Sequence, residues 1–439
     1  MIAGNFENIA FEGISIDSRT LKAGNLFFAL AGMQQDGHDF IEQAYQKGAA
    51  GAVVLRTIQT KLPLIKVRDT IQTLGEITKN WRDTFDIPLI GVTGSNGKTT
   101  TKNMIGAIFQ AMQKFPLVTQ GNFNNHIGVP LTLAQLDTRH QAAVIEMGMN
   151  HFHEISSLTR LARPTTALIT NAGSCHLEGL DGTLAGVAKA KGEIFEGLSL
   201  KGTAVINADD DFAAYWKSLI KTQTIITYGI EKEADVKAEL KAQGFVLNYQ
   251  GKQVFIKLKL LGKHNISNAL AAAAAALVNG AELAQIKTAL EKLEPAQGRM
   301  ETKKGLKGVT VIDDTYNANP LSLKAAIEAI RDFPGQKILV LGAMGELGAQ
   351  GESLHSKCGK FARENGIDYL FTMGELTRHT INSFGKNGRY FTDHVSLIEA
   401  LQPYIQLDNI ILVKGSRSMK MEKVVEAITL LTSAKQEGN

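Results

Sequence analysis

The chain has 439 residues, 44% of them hydrophobic and 21% charged, with a formal net charge of +4. That length accommodates about three domains of about 150 residues, and the small charge, with no block of Lys or Arg, gives nucleic-acid binding no electrostatic support while its modest basicity suits an anionic substrate. No apolar run approaches the ~20 residues of a membrane span. The N-terminus lacks a basic region followed by an apolar core, so no signal peptide is expected. Cys175 and Cys358 stand in no CxxC or zinc spacing, which points to a reducing compartment. A cytoplasmic monomer is the expectation.

In chain order, residues 1–86 mix short strands (Gly13–Ile16, Asn25–Leu30, Ala52–Leu55) with helical patterns over His38–Lys47 and Thr70–Phe85. From 87 to 297, continuous apolar runs alternate with helical stretches, the mark of a parallel sheet covered on both faces. Its expected strands include Pro88–Thr93, Ala142–Ile145, Thr166–Thr170 and Thr203–Ile206. A hairpin-like insert follows over Phe245–Leu260, where Val254–Leu260 alternates as a half-exposed strand does. The alanine-rich run Leu270–Val278 reads as a tightly packed helix. After a Pro/Gly hinge at Glu294–Gly298, residues 298–439 repeat the rhythm with strands at Val309–Ile312, Lys337–Leu341 and Asn409–Val413, a Rossmann-like pattern. The expected fold is therefore α/β in three domains. A central parallel-sheet ATPase domain is flanked by a smaller N-terminal α/β domain and a C-terminal Rossmann-like one.

Gly94-Ser95-Asn96-Gly97-Lys98-Thr99-Thr100 sits between an apolar strand and a helix-like segment. Glycines there let backbone N–H groups face phosphate oxygens at a helix N-terminus. In such a loop Lys98 reaches the β- and γ-phosphates and the Thr99 hydroxyl ligates Mg²⁺. Val92 stands where the strict Walker A pattern has its first glycine. Ligands of open parallel sheets bind beyond the carboxyl ends of the strands, and two metal-competent side chains fall there. Glu146 follows one strand; His176 lies six residues past another. The lysines of Ala188–Phe195 read by themselves as solvated residues, and the amides of His264–Asn268 as helix caps. The run Asp313-Asp314-Thr315-Tyr316-Asn317-Ala318-Asn319-Pro320 carries more hydrogen-bonding side chains than a cap needs, which favours binding.

In this order, these segments resemble the Mur ligases, the ATP-dependent amide-forming enzymes of peptidoglycan synthesis, over nearly the whole chain. The marks of the members that add D-alanyl-D-alanine are Gly121–Pro130, Asp314–Pro320 and Lys414-Gly415-Ser416-Arg417. The resemblance implies that Lys98 contacts the ATP phosphates, and that Thr99, Glu146 and His176 help to bind Mg²⁺. It makes Lys191 the lysine carbamylated by CO₂, which turns a cation that would repel Mg²⁺ into a carboxylate-like ligand. It places Asn268 at adenine, Arg299 at the γ-phosphate and Asp314 at the ribose. It also puts Ser18 and Arg19 at the UDP-sugar, with Asn124 and Asn125 near the same substrate. Tyr316, Asn317 and Asn319 belong to the substrate set as well. The implied substrates are UDP-N-acetylmuramoyl-tripeptide, with diaminopimelate or lysine both open as its third residue, and D-alanyl-D-alanine. Ala343 departs from the family's usual Asp; its neighbour Glu346 remains. A related Mur or folylpolyglutamate-type ligase, or a non-catalytic nucleotide-binding subunit, are the rival readings, and no general base is identified.

Overall fold

The computed structural model describes residues 2–32 and 35–429; the last ten residues of the third expected block, and Met1, lie outside the described residues. Three parallel or mostly parallel sheets dominate. The first is four-stranded, in the order Ile14–Ser15, Leu26–Phe28, Gly51–Val54, Leu64–Lys66, beside an antiparallel hairpin of Ala3–Phe6 and Ile9–Glu12. The expected helix over His38–Lys47 is split, with a 3₁₀ turn at Gly37–Phe40 before the α-helix Ile41–Gln46. The His38 ring is pinned there, with Nδ1 2.6 Å from Asp36 and Nε2 accepting from the Leu55 N–H. The next helix runs from Thr70 to Arg82 rather than to Phe85. Asp69 caps its start, and at its end the Arg82 guanidinium donates to the carbonyls of Phe85 and Ala162, tying it to the following domain.

The second sheet has nine strands. Leu89–Thr93 lies between Ala142–Glu146 on one side and Thr166–Ile169 on the other, all parallel; the chain runs from it to the edge strand Pro116–Val118 and turns back across the sheet there. Every residue of Leu89–Thr93 and Ala142–Glu146 is buried, as expected of strands covered by helices on both faces. Register sets Val92 beside Glu146 and Ile169 beside Thr93. The phosphate-loop candidate, Glu146 and the turn after Ile169 therefore leave the sheet at one level. The insert is the antiparallel edge, Gly244–Tyr249 with Lys252–Ile256. Its last strand stops at Ile256, short of the expected Leu260, because the Lys257 N–H turns to the Glu291 carboxylate.

The helix Lys263–Leu277 fulfils the alanine-run expectation, and Ala269 to Ala276 are fully buried. Methyl side chains let it lie close to the sheet and to the helix Lys98–Ala111, sharing one core with Ile105, Ile108 and Val205.

The third sheet is six-stranded, ordered Glu301–Lys304, Thr310–Asp314, Ile410–Lys414, Lys337–Gly342, Tyr369–Met373, Gly388–Phe391, with only the first strand antiparallel. Among the described residues no helix is long and apolar enough to cross a membrane.

Because the alanine helix has no slack around it, Ala273→Leu is expected to overpack the core and to cost ~1–3 kcal/mol. The check is a drop in the urea midpoint of the central-domain transition.

Candidate active site

The phosphate-loop candidate takes its shape from two glycines that nothing else replaces. Gly94 has φ +149° and Gly97 φ +82°. A Cβ on Gly94 would stand 1.7 Å from Thr170 Oγ1, and one on Gly97 2.1 Å from Asn268 Oδ1. The turn after Thr166–Ile169 grips the loop. Thr170 Oγ1 and Asn171 Nδ2 both donate to the Asn96 carbonyl, Asn171 accepts from the Ser95 and Asn96 N–H groups, and Ser95 Oγ accepts from the Gly173 N–H. The helix Lys98–Ala111 then starts at the loop, with its unpaired N–H groups available to an anion. Lys98 Nζ donates to the Gly94 carbonyl at 2.6 Å.

Glu146 lies one layer deeper and is 2% exposed. Its Oε2 accepts from Thr99 Oγ1 at 3.0 Å, and its Oε1 from Asn124 Nδ2 at 2.8 Å. Lys102, fully buried, sits 3.4 Å from the same carboxylate and donates to the carbonyls of Thr119 and Gly121. Sequence reasoning passed over Lys102 and Asn171. The signal for Lys102 was its spacing of four from Lys98, which puts both on one helix face.

Lys191, near the end of the helix Leu184–Gly192, is 2% exposed and borders the cleft. Among the described residues its Nζ makes no hydrogen bond or ion pair with a carboxylate. Burial holds its amine down to about 7, with Lys98 pushing the same way and Cys175 opposing. His176 Nδ1 is 2.6 Å from Glu346 Oε2.

The third domain closes the cleft from above. Arg299 Nη2 donates to Thr99 Oγ1 at 3.1 Å while its guanidinium lies 3.9 Å over the Tyr316 ring. Asn319 caps the helix Pro320–Ile330 and exchanges amide hydrogen bonds with Asn96 of the phosphate loop, at 2.7 and 3.3 Å. Asp314 pairs with the buried Lys414 and accepts from the Met300 N–H; Lys414 also donates to the Asn317 carbonyl. Asn268 donates to Asn265 and faces Gly97.

Together these walls enclose a cleft of about 800 Å³, lined by Ser95 to Thr100, Asn124, Asn125, Glu146, His176, Lys191, Asn268, Arg299, Asp314, Tyr316, Asn317 and Asn319. Gly94 sits just behind, its carbonyl held by Lys98. Asn125 Oδ1 also accepts from the Ile127 and Gly128 N–H groups where the helix Gly128–Leu133 begins. Ser18 and Arg19 are not in this lining. Ser18 donates to Gln43, and Arg19 pairs with Asp17 at the surface of the first domain, holding the Asp17 carboxyl down at about 2.

Three family descriptions match in order: "Mur ligase family, catalytic domain" over residues 10–82, "Mur ligase middle domain" over 92–276, and "Mur ligase, glutamate ligase domain" over 298–417. The chain is 39% identical over 429 residues to the UDP-N-acetylmuramoyl-tripeptide–D-alanyl-D-alanine ligase of Escherichia coli (strain K12), covering 96% of this chain and 94% of that one. The chain belongs to the Mur ligase family. The ligase of the same name from Bacillus subtilis (strain 168) is 36% identical over 434 residues, with 96% and 94% coverage. Among solved structures, this Mur ligase matches a crystal structure of MurF from Acinetobacter baumannii with TM-score 0.90, at 34% identity and 95% and 93% coverage. It matches MurF ligase from Thermotoga maritima in complex with ADP with TM-score 0.85, at 25% identity and 94% and 96% coverage.

One buried group of this Mur ligase ties its third domain to pH. His355, fully buried, donates from Nδ1 to the Gly351 carbonyl and accepts at Nε2 from the Met344 N–H, so it holds the Ala343–Glu346 turn as a neutral ring. Burial lowers its pKa, and His379 adds to the effect. With a folded value below the unfolded ~6.5, its contribution is present above pH ~6.5 and lost as pH falls through the folded value. The denaturation midpoint is expected to fall from pH 7 to pH 5. His355→Leu, which strands the Met344 N–H, is expected to cost ~1–3 kcal/mol at pH 7 and to flatten that slope.

Proposed function

We propose that this chain is an ATP-dependent ligase that joins D-alanyl-D-alanine to UDP-N-acetylmuramoyl-tripeptide, giving the UDP-N-acetylmuramoyl-pentapeptide of peptidoglycan synthesis. The observation that carries the reading is the meeting, in one cleft, of the phosphate loop of the central domain with Arg299 and the Tyr316–Asn319 turn of the third. The full-length likeness to ligases of that name supports it.

A carboxylate does not condense with an amine in water because its oxygen is too poor a leaving group. In the first step a carboxylate oxygen of the tripeptide attacks the γ-phosphorus of ATP. The bond from that phosphorus to the ADP oxygen breaks, and an acylphosphate forms. In the second, the neutral amine of D-alanyl-D-alanine attacks the acyl carbon, phosphate departs with the C–O bonding pair, and the amine nitrogen gives up a proton. The protein's task is positioning and charge neutralisation. Backbone N–H groups of Ser95 to Thr100 and the Lys98 ammonium hold the phosphates. Arg299, kept flat by Tyr316, places a cation at the γ end. Asn268 is assigned to adenine and Asp314 to ribose; Ser18 and Arg19 to the uridine arm, and Asn124 and Asn125 to the muramoyl arm. Tyr316, Asn317 and Asn319 are assigned to the substrates at the domain junction. Docking of the third domain shields the acylphosphate from water.

The donors fit Mg²⁺. Thr99 Oγ1 and Glu146 Oε2 meet at 3.0 Å on the cleft wall, and a hydroxyl and a carboxylate are the oxygen donors that a hard cation takes. Thr99, Glu146, His176 and carbamylated Lys191 would hold it, and when bound it neutralises phosphoryl charge. Lys191 supports carbamylation because a buried amine titrating at about 7 supplies the neutral nitrogen that attacks CO₂, forming the N–C bond and releasing a proton. We assign working domain limits of 1–86, 87–297 and 298–439. The buried, unpaired Cys175 and Cys358 support a cytoplasmic setting; a monomer is the proposed state.

Phosphate release from ATP is expected only with both UDP-N-acetylmuramoyl-tripeptide and D-alanyl-D-alanine present, with the pentapeptide product seen by mass. Release driven by another amine would make the chain a different amide ligase, and no release with any pair a silent nucleotide binder. Lys191→Ala is expected to lose nearly all turnover and to recover part of it with small carboxylates; a wild-type rate without them would remove the carbamate.

A further inference from the structure

The segment Gly345–Gln350 of the third domain lies across His176–Gly182 of the central domain. Gln350 Nε2 donates to the Gly182 carbonyl at 2.8 Å, and a Cβ on Gly348 would lie 3.5 Å from Glu178. At one end of this contact Glu346 Oε2 meets His176 Nδ1 at 2.6 Å. Both residues are in the left-handed region, His176 at φ +53° and Glu346 at φ +60°. Non-glycine residues persist there only where the surroundings over-determine them. The surroundings of Glu346 do so. The Gly345 N–H donates to Ser416 Oγ and the Met344 N–H to the buried His355, fixing the turn that presents the carboxylate.

As a stabilising ion pair the contact is worth little, because the Glu346 side chain is 63% exposed. Its geometric consequence is larger. A carboxylate at Nδ1 accepts a hydrogen bond from Nδ1–H, which keeps the ring proton on Nδ1 and leaves the lone pair at Nε2. Carboxylates behind ligating histidines fix tautomer and ring orientation in this way, and their loss weakens metal binding about 10–100-fold. In this protein the carboxylate and the histidine come from different domains. Ala343 offers only a methyl group, so Glu346 is the single carboxylate of the turn Gly342–Gly348.

We propose that Glu346 is a positioning residue that orients His176 for the divalent cation only when the third domain is docked, so that cation affinity and domain closure are coupled. The coupling is reciprocal: what closure adds to cation affinity, the cation adds to closure. This rests on the ligase reading above.

The test titrates Mn²⁺, followed by electron paramagnetic resonance, into the full chain saturated with ADP, with small-angle scattering of the same samples. Glu346→Ala is expected to weaken Mn²⁺ at least tenfold and to keep a larger radius of gyration than wild type. Glu346→Gln, whose amide oxygen still accepts from Nδ1–H, is expected to restore most of both, and the thermal midpoints of all three to match. Mn²⁺ affinity of Glu346→Ala within twofold of wild type overturns the inference, and so does a Glu346→Gln protein as weak as Glu346→Ala. Wild-type protein that binds neither ADP nor Mn²⁺ would instead fail the ligase reading itself, which separates the two failures.

Discussion

Glu146 is the buried charge around which the cleft is arranged. Burying a carboxylate is tolerated only when its lone pairs are taken, and here each partner brings a different piece of the molecule. Thr99 brings the start of the phosphate-loop helix, Asn124 the loop that precedes Gly128–Leu133, and Lys102 the backbone of Thr119 and Gly121. The Glu146 N–H is held by Thr119 Oγ1 as well. The Gly94–Thr100 loop, the loop that carries Asn124 and the sheet edge are thus fixed to one another through a single side chain. The parallel register that sets Val92 beside Glu146 makes this possible.

The third domain adds what the central one lacks. The central domain supplies the Gly94–Thr100 loop but little to close over it. Arg299 and the Tyr316–Asn319 turn arrive from beyond the hinge at Glu294–Gly298, and Gly298 itself has φ +68° and donates no side chain to crowd Tyr316. Cation–π packing of Arg299 on Tyr316 keeps a long side chain extended. That orientation lets one guanidinium reach the Thr99 hydroxyl across the domain junction.

Much of this was legible in the chain. Continuous apolar strands such as Leu89–Thr93, and the glycine spacing of Gly94 and Gly97, state a local requirement directly: both faces covered, no Cβ tolerated. The helix of Ala269 to Ala276 was legible for the same reason, since methyl groups pack only where space is small. What stayed hidden were partners set by tertiary contact. Lys102 looks like an ordinary helix lysine until Glu146 is placed beneath it. Asn171 looks like a turn residue until the Asn96 carbonyl is placed before it. The end of the Thr70–Arg82 helix depended on Ala162, some eighty residues away, and the end of the edge strand at Ile256 on Glu291. Ser18 and Arg19 show the converse, a motif recognised by likeness whose side chains face Gln43 and Asp17 within their own domain.

The amide exchange between Asn96 and Asn319 has one more consequence. Each side chain offers an NH₂ donor group and a carbonyl acceptor and carries no net charge. The two domains therefore meet directly beside the Gly94–Thr100 loop without adding a net charge to those of Lys98, Arg299 and Glu146. A lysine–glutamate contact in the same place would compete with a polyphosphate for its cation and would weaken with ionic strength. An uncharged fastener escapes both, so the register of the two domains is set by shape and hydrogen-bond direction while the charge balance of the cleft is left to its ionised side chains.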